Sequence, residues 1–219
     1  MRFVFCTLAA AAATALCLPA QATLLTFDGL PSGAVGTTIG TSYGDRVTAA
    51  GAGVSLTSGA TPNVVLSFVP LVAGNPNFEV YGGGYSGLIN ALGDNSYNVP
   101  GYVELTPDAG WDVVLESFDL GSWSTSSYPN SQVRVVNTAG TTFLDTGLFT
   151  FPGNTVYTYP GSLVRSSSAL RVYISDFGDL GLDNLRFSQV SSVPEPGALA
   201  LCLAGAGLLL PLARMRQKT

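Results

Sequence analysis

The 219-residue sequence has no histidine, and lysine occurs once, at Lys218. The usual general base at neutral pH is therefore missing, and so is the commonest transition-metal ligand. This excludes Ser-His-Asp and Cys-His catalysis and ordinary zinc sites. Cysteine is nearly as scarce: Cys6 and Cys17 lie in a leading apolar segment and Cys202 in a trailing one. The span between them closes without an internal disulfide, even though an exported chain could form one. A domain of roughly 170 residues buries about 70% of its extended-chain surface, which suffices without such staples. No segment shows sustained helical periodicity with caps.

The two most apolar stretches sit at the ends. Met1-Arg2 supplies a positive start, Phe3 to Leu18 is apolar or small throughout, and Pro19-Ala20-Gln21-Ala22 offers an Ala-x-Ala site. This is the three-part layout of a secretory signal peptide. It predicts a signal helix, with cleavage after Ala22 specified by Ala20 and Ala22; an uncleaved N-terminal anchor is the alternative. Leu16 precedes Cys17 where a lipoprotein signal needs a small residue, so lipidation there is set aside.

At the other end, Val193-Pro194-Glu195-Pro196-Gly197 leads into 16 apolar or small residues, 198–213, followed by Arg214-Met215-Arg216-Gln217-Lys218-Thr219. As a helix at about 1.5 Å per residue this run spans about 24 Å, short of the roughly 30 Å hydrocarbon core. It lacks Phe, Ile and Val and contains Gly205-Ala206-Gly207 and Pro211. Such a transmembrane helix suits a transient stop better than a permanent anchor. Arg214, Arg216 and Lys218 form a basic stop that stays cytoplasmic by the positive-inside rule, leaving the body outside the inner membrane. The two prolines bias the motif towards extended backbone, the form a protease cleft accepts.

Val193, Pro194, Glu195 and Pro196, the short helix and the terminal basic cluster together resemble the PEP-CTERM sorting tail of Gram-negative bacteria. The resemblance covers only 193–219. It implies handling by the membrane protease-transpeptidase exosortase, removal of the tail near the Pro-Glu-Pro motif, and passage to the cell surface or an exopolysaccharide matrix. A chance Pro-Glu-Pro linker before an ordinary membrane span is the competing reading. The implied organisation is a signal peptide at 1–22, a domain at 23–190 and a sorting tail at 191–219.

Thirteen carboxylates and five arginines (Arg46, Arg134, Arg165, Arg171 and Arg186) give the body a net charge of −8. That acidity argues against nucleic acid or anionic lipid and is compatible with neutral polysaccharide and divalent cations. The body is rich in Gly, Ser, Thr, Val, Asn and aromatics, the profile of short strands joined by turns. Alternation is clean at Leu170, Val172 and Ile174, at Val133 and Val135 around Arg134, and at Leu185 and Phe187. About ten such segments, separated by turns such as Asp28-Gly29 and Pro160-Gly161, predict an all-β domain, a single β-sandwich of jelly-roll type. The opening Phe27-Asp28-Gly29-Leu30-Pro31 and the closing 181–187 are similar to the first and last strands of secreted jelly-roll domains of the galactose-binding-like kind. Many PEP-CTERM proteins carry such domains, and the resemblance implies carbohydrate binding and structural Ca²⁺.

If the first and last strands pair, Asp28 and Asp183 meet, and two carboxylates with backbone carbonyls suit Ca²⁺. The plainer alternative, a turn cap at Asp28 and a solvated strand residue at Asp183, is favoured because neither motif has ordered ligand spacing. Asp176, Asp179 and Asp183 form a second acidic group near Gly178 and read as a solvated loop. Two long polar-aromatic loops, 82–101 with Tyr85 and Tyr97 and 121–131 with Trp123 and Tyr128, combine flat rings with Asn and Ser, the mixture a sugar site needs. Packing is the competing role for those rings. Gly82-Gly83-Gly84 has no following Lys and no helix to open, so it reads as a bend and not as a phosphate loop. Glu79, Glu104 and Glu116 are the glutamates available for glycoside hydrolysis, but nothing sets two of them at a catalytic separation. The expected function is a non-enzymatic surface or matrix protein, structural or exopolysaccharide-associated. A calcium-dependent carbohydrate-binding module and a polysaccharide hydrolase are the alternatives.

Overall fold

The computed structural model describes residues 22–31, 36–56, 59–72, 74 and 77–192. The signal segment up to Gln21 and the sorting tail from Val193 lie outside the described residues. Within them every regular element is a strand. In chain order these are β1 (Ala22–Leu25), β2 (Thr37–Thr38), β3 (Val54–Ser55), β4 (Val64–Pro70), β5 (Glu79–Tyr81), β6 (Ala91–Gly93), β7 (Gly101–Pro107), β8 (Trp111–Ser122), β9 (Tyr128–Ser131), β10 (Val133–Asn137), β11 (Thr142–Asp145), β12 (Phe149–Phe151), β13 (Val156–Ser166), β14 (Leu170–Ile174) and β15 (Leu180–Ser191). Ala20–Val190 is one compact unit.

Five strands form an antiparallel sheet in the order β11-β10-β14-β7-β4. A larger sheet runs β13-β8-β15-β6-β5-β2, with β1 added to β15 and β3 to β1. β9 and β12 make a separate two-stranded ribbon. The smaller sheet follows directly from the sequence alternation. β7, β10 and β14 place Val103, Leu105, Val133, Val135, Leu170, Val172 and Ile174 on one buried face and leave the intervening residues half-exposed. That is the period of a sheet covered on one side. Leu25, Leu92, Leu115, Leu182 and Phe187 of the larger sheet join the same apolar cluster. Two sheets closing on one core is the arrangement of a β-sandwich. Each fully buried leucine or valine contributes roughly 1.5–3 kcal/mol.

The half-exposed face of the smaller sheet is held by polar pairs. Arg171 stands directly opposite Glu104 across β14 and β7, donates from Nε at 2.6 Å, and lies 4.6 Å over the Tyr102 ring.

Among the described residues fifteen strands stand where about ten were expected. β2, β6, β9 and β12 are too short to give an alternation signal. The expected loop 82–101 therefore contains β6, and 121–131 contains β9. β8 and β15 run to 12 residues each, longer than the expected segments. Pairing of β1 with β15 sets Leu25 opposite Leu185 and joins the two ends of the described chain.

Candidate functional site

Segments from four places in the larger sheet line one groove. Tyr81 is the last residue of β5, Asp94 to Tyr97 follow β6, Trp123 follows β8, and Gly178 precedes β15. Tyr81, Tyr97 and Trp123, with Asp94, Asn95, Ser96 and Gly178, line a shallow groove of about 120 Å³. Trp123 is held edge-on by two tyrosines, its ring centroid 5.9 Å from Tyr81 and 5.0 Å from Tyr85. Its backbone N–H donates to the Asp179 carbonyl at 2.8 Å, and Ser124 N–H donates to the Gly84 carbonyl at 2.7 Å. Gly84 has φ +97°, and a Cβ there would stand 2.3 Å from the Trp123 ring. The Gly82-Gly83-Gly84 bend thus has a definite role: it lets the chain pass against the indole.

Hydrogen bonds join these loops. The Asp176 carboxylate accepts from the N–H groups of Asn98 at 2.8 Å, Val99 at 3.2 Å and Gly178 at 2.8 Å. Asp94 Oδ1 accepts from Ser96 N–H at 2.8 Å, and Asp94 N–H donates to the Phe177 carbonyl at 2.9 Å. The Tyr81 hydroxyl donates to Glu79 Oε2 at 2.5 Å. Burial, then that bond to Glu79, drives the Tyr81 pKa upward, so the phenol keeps its proton. Burial first, and then the charge and hydrogen bond of Asp176, push Asp179 up to about 6.

Of the four aromatics expected to meet sugar, Tyr97 and Trp123 line the groove, Tyr97 being 78% exposed. Tyr85 is a correction. It is 1% exposed, wedged beside Trp123 with its hydroxyl donating to the Phe177 carbonyl, so it presents no face to a ligand. Tyr128 does not line the groove; its hydroxyl donates to the Trp123 carbonyl. Tyr81 and Asp94 were missed. Tyr81 ends a three-residue strand, and nothing in its local pattern distinguishes it from a packing tyrosine.

A second site lies where β1 and β15 meet. Asp183 is 3% exposed, which overturns the reading of it as a solvated strand residue. Burial above all, then the charges of Asp28 and Asp119, push its pKa up to about 8, against the lowering effect of the Asn184 N–H. Asp28 Oδ1 is buried and accepts no hydrogen bond. Asp28 follows Phe27, a fully buried residue at φ +54°, and Asn184 is held at φ +50°. Non-glycine residues in the left-handed region are uncommon and persist where surrounding structure imposes them. Asn184 donates from its backbone to Asp183 Oδ1 and from Nδ2 to Asp119 Oδ2, each at 2.7 Å. The buried Asp183 carboxyl, with the Asp28 charge beside it, is stabilised by a proton or by a cation. The donors are hard oxygens, one of them orphaned, and in chemical type they fit Ca²⁺. Among the described residues there is no group of three or more Asp, Glu, Cys or His side chains suited to a metal. A cation at this pair would therefore complete its shell with carbonyls and water.

The acidic group near Gly178 separates in the same way. Asp176 organises backbone, Asp179 backs Trp123, and Asp183 belongs to the other site. Glu104 and Glu116 are engaged by Arg171 at 2.6 Å and Arg186 at 2.7 Å, and Glu79 by Tyr81.

No protein-family model matches the chain, and no curated protein matches it.

Proposed function

We propose that this chain is an exported protein of the cell surface or extracellular matrix of a Gram-negative bacterium. In this reading an exosortase sorts it through the inner membrane, and its jelly-roll, galactose-binding-like sandwich holds extracellular polysaccharide in the Trp123 groove. The groove is the observation that carries the binding role. It offers an indole fixed by two edge-on tyrosines, an exposed Tyr97, and Asp94, Asn95 and Ser96 within one cleft. Sugar rings pack their C–H faces on such aromatics while neighbouring polar groups bond the hydroxyls. Because packing already fixes Trp123, little ordering entropy is lost on binding. The export role rests on the signal layout and on Pro194-Glu195-Pro196 with its helix and basic end.

The test is a glycan array probed with the mature protein purified from its host. Specific binding that disappears in Trp123→Ala supports the reading; binding to no glycan removes it. Replacing Pro194-Glu195-Pro196 by alanines should leave uncleaved precursor in the inner membrane, and normal release of that variant would refute the sorting role.

A calcium-dependent carbohydrate-binding module is the second reading, favoured by the orphaned Asp28 Oδ1 beside buried Asp183. Asp28 and Asp183 would hold the ion, whose positive charge would offset both carboxylates. Glycan binding abolished by EDTA and restored by Ca²⁺ distinguishes it from the first.

A further inference from the structure

Resting on the glycan-binding reading, we propose that Asp176 is the positioning residue of the groove: it lies outside the lining and fixes Tyr97 relative to Trp123, the two accessible aromatics that line it. Tyr97 is 78% exposed, so the backbone on either side of it, and not packing of its ring, sets where it stands. On one side Asp94 Oδ1 accepts from Ser96 N–H at 2.8 Å, a bond within the loop's own turn. On the other side Asn98 N–H donates to Asp176 Oδ2 at 2.8 Å, across 78 positions of the chain. Asn98 is held at φ +59°, a left-handed conformation that surrounding structure must impose on a residue with a side chain.

The turn that carries Asp176 also holds the other aromatic, because Trp123 N–H donates to the Asp179 carbonyl at 2.8 Å. Asp176 Oδ1 accepts from Gly178 N–H at 2.8 Å and from Val99 N–H at 3.2 Å, so one carboxylate bonds both its own turn and the facing loop. The two backbones approach most closely at Gly178, where a Cβ would stand 2.0 Å from the Ser96 carbonyl oxygen. Main-chain bonds fasten the ends of the facing loop: Asp94 N–H donates to the Phe177 carbonyl at 2.9 Å, and Phe177 N–H to the Val99 carbonyl at 2.8 Å. Between those ends Asp176 grips Asn98, next to the exposed ring. Removing the carboxylate therefore leaves the loop attached at both ends and frees the part that carries Tyr97. The entropy of ordering that part is then lost on binding, where it subtracts from affinity, and not on folding.

Calorimetry on the mature protein with a neutral β-1,4-linked glucose hexaose tests it. In Asp176→Asn one acceptor oxygen is kept, but the amide nitrogen faces a backbone N–H that it cannot accept. That variant should bind the hexaose about tenfold more weakly. A double-mutant cycle separates positioning from a general loss of stability. Tyr97→Ala should reduce affinity by a smaller factor in the Asp176→Asn background than in the wild type, because a freed ring contributes less. Amide hydrogen exchange should show Asn98 protected in the wild type and open in Asp176→Asn, with Asp94 and Phe177 protected in both. Factors that simply multiply in the cycle, or hexaose affinity unchanged in Asp176→Asn, overturn the positioning role and leave the glycan-binding reading standing. A wild-type Asn98 amide that exchanges freely overturns the role whether or not the variant folds. Wild-type protein that leaves the hexaose unbound overturns the role together with the groove's reading as a neutral-glycan site.

Discussion

The Tyr85 hydroxyl donates to the Phe177 carbonyl at 3.1 Å across 92 positions of the chain, joining the β5–β6 loop to the β14–β15 loop beneath Trp123. The same carbonyl also accepts from Asp94 N–H, so removing the hydroxyl leaves it partnered. Tyr85→Phe should therefore lose only about 1 kcal/mol. In a domain of this size that is a fall in Tm of roughly 2–4 °C, read by a thermal melt. A much larger fall would mean that the hydroxyl does more than join two loops.

Gly181 and Gly84 pack directly against the rings of Tyr85 and Trp123. A Cβ at Gly181 would lie 2.5 Å from Tyr85 Cγ, and Tyr85 is buried on every side. Gly181→Ala should destabilise the domain by roughly 1–3 kcal/mol, the usual range for overpacking. Gly84→Ala adds left-handed strain to a clash with the indole. It should weaken glycan binding more than it lowers Tm, because Trp123 is half-exposed and can yield towards the groove.

Asp183 makes stability fall as pH rises. Its folded pKa, about 8, is above the ordinary carboxylate value, so between roughly pH 4 and 8 the folded state holds a proton the unfolded state has lost. Metal-free protein should be more stable to denaturant at pH 5 than at pH 8. Asp183→Asn should flatten that slope and raise stability at pH 8 by an amount on the order of a few kcal/mol. A pH-independent wild-type midpoint over this range would contradict it.

Calcium addresses the same penalty by another route. Added to EDTA-treated protein at neutral pH, Ca²⁺ should raise the wild-type Tm, by about 2.7 kcal/mol in stability at a hundredfold excess over Kd. The rise should be absent in Asp28→Asn/Asp183→Asn. An equal rise in both proteins would locate the ion elsewhere, and no rise in either would leave the proton as the occupant.

The mature mass tests the two ends together. Cleavage after Ala22 leaves Thr23 as the first residue, whose buried hydroxyl lies 2.8 Å from that of Thr61, so β1 keeps that anchor. The native protein should begin at Thr23 and end near Pro194-Glu195-Pro196. An intact polypeptide from Met1 to Thr219 would refute both cuts.

Local pattern was enough to read the strands of the smaller sheet. Leu170, Val172 and Ile174 announce a covered face because one side chain in two must leave water. Absent histidine and terminal cysteines likewise excluded whole classes of chemistry without any coordinates. The pairing of β1 with β15, and with it the meeting of Asp28 and Asp183, was legible only as a conditional. What tertiary structure alone decided is burial where alternation gives no guide. In β15 residues 180–183 are all buried, so Asp183 is enclosed on the face of Leu185 and Phe187, where its carboxylate type alone would have argued for water. Tyr85 and Trp123 carry the same kind of aromatic signal in sequence, yet the loops enclose one and leave the other at the surface. A sequence period specifies which side chains share a face; which other parts of the chain then cover that face depends on contacts between residues far apart in the chain.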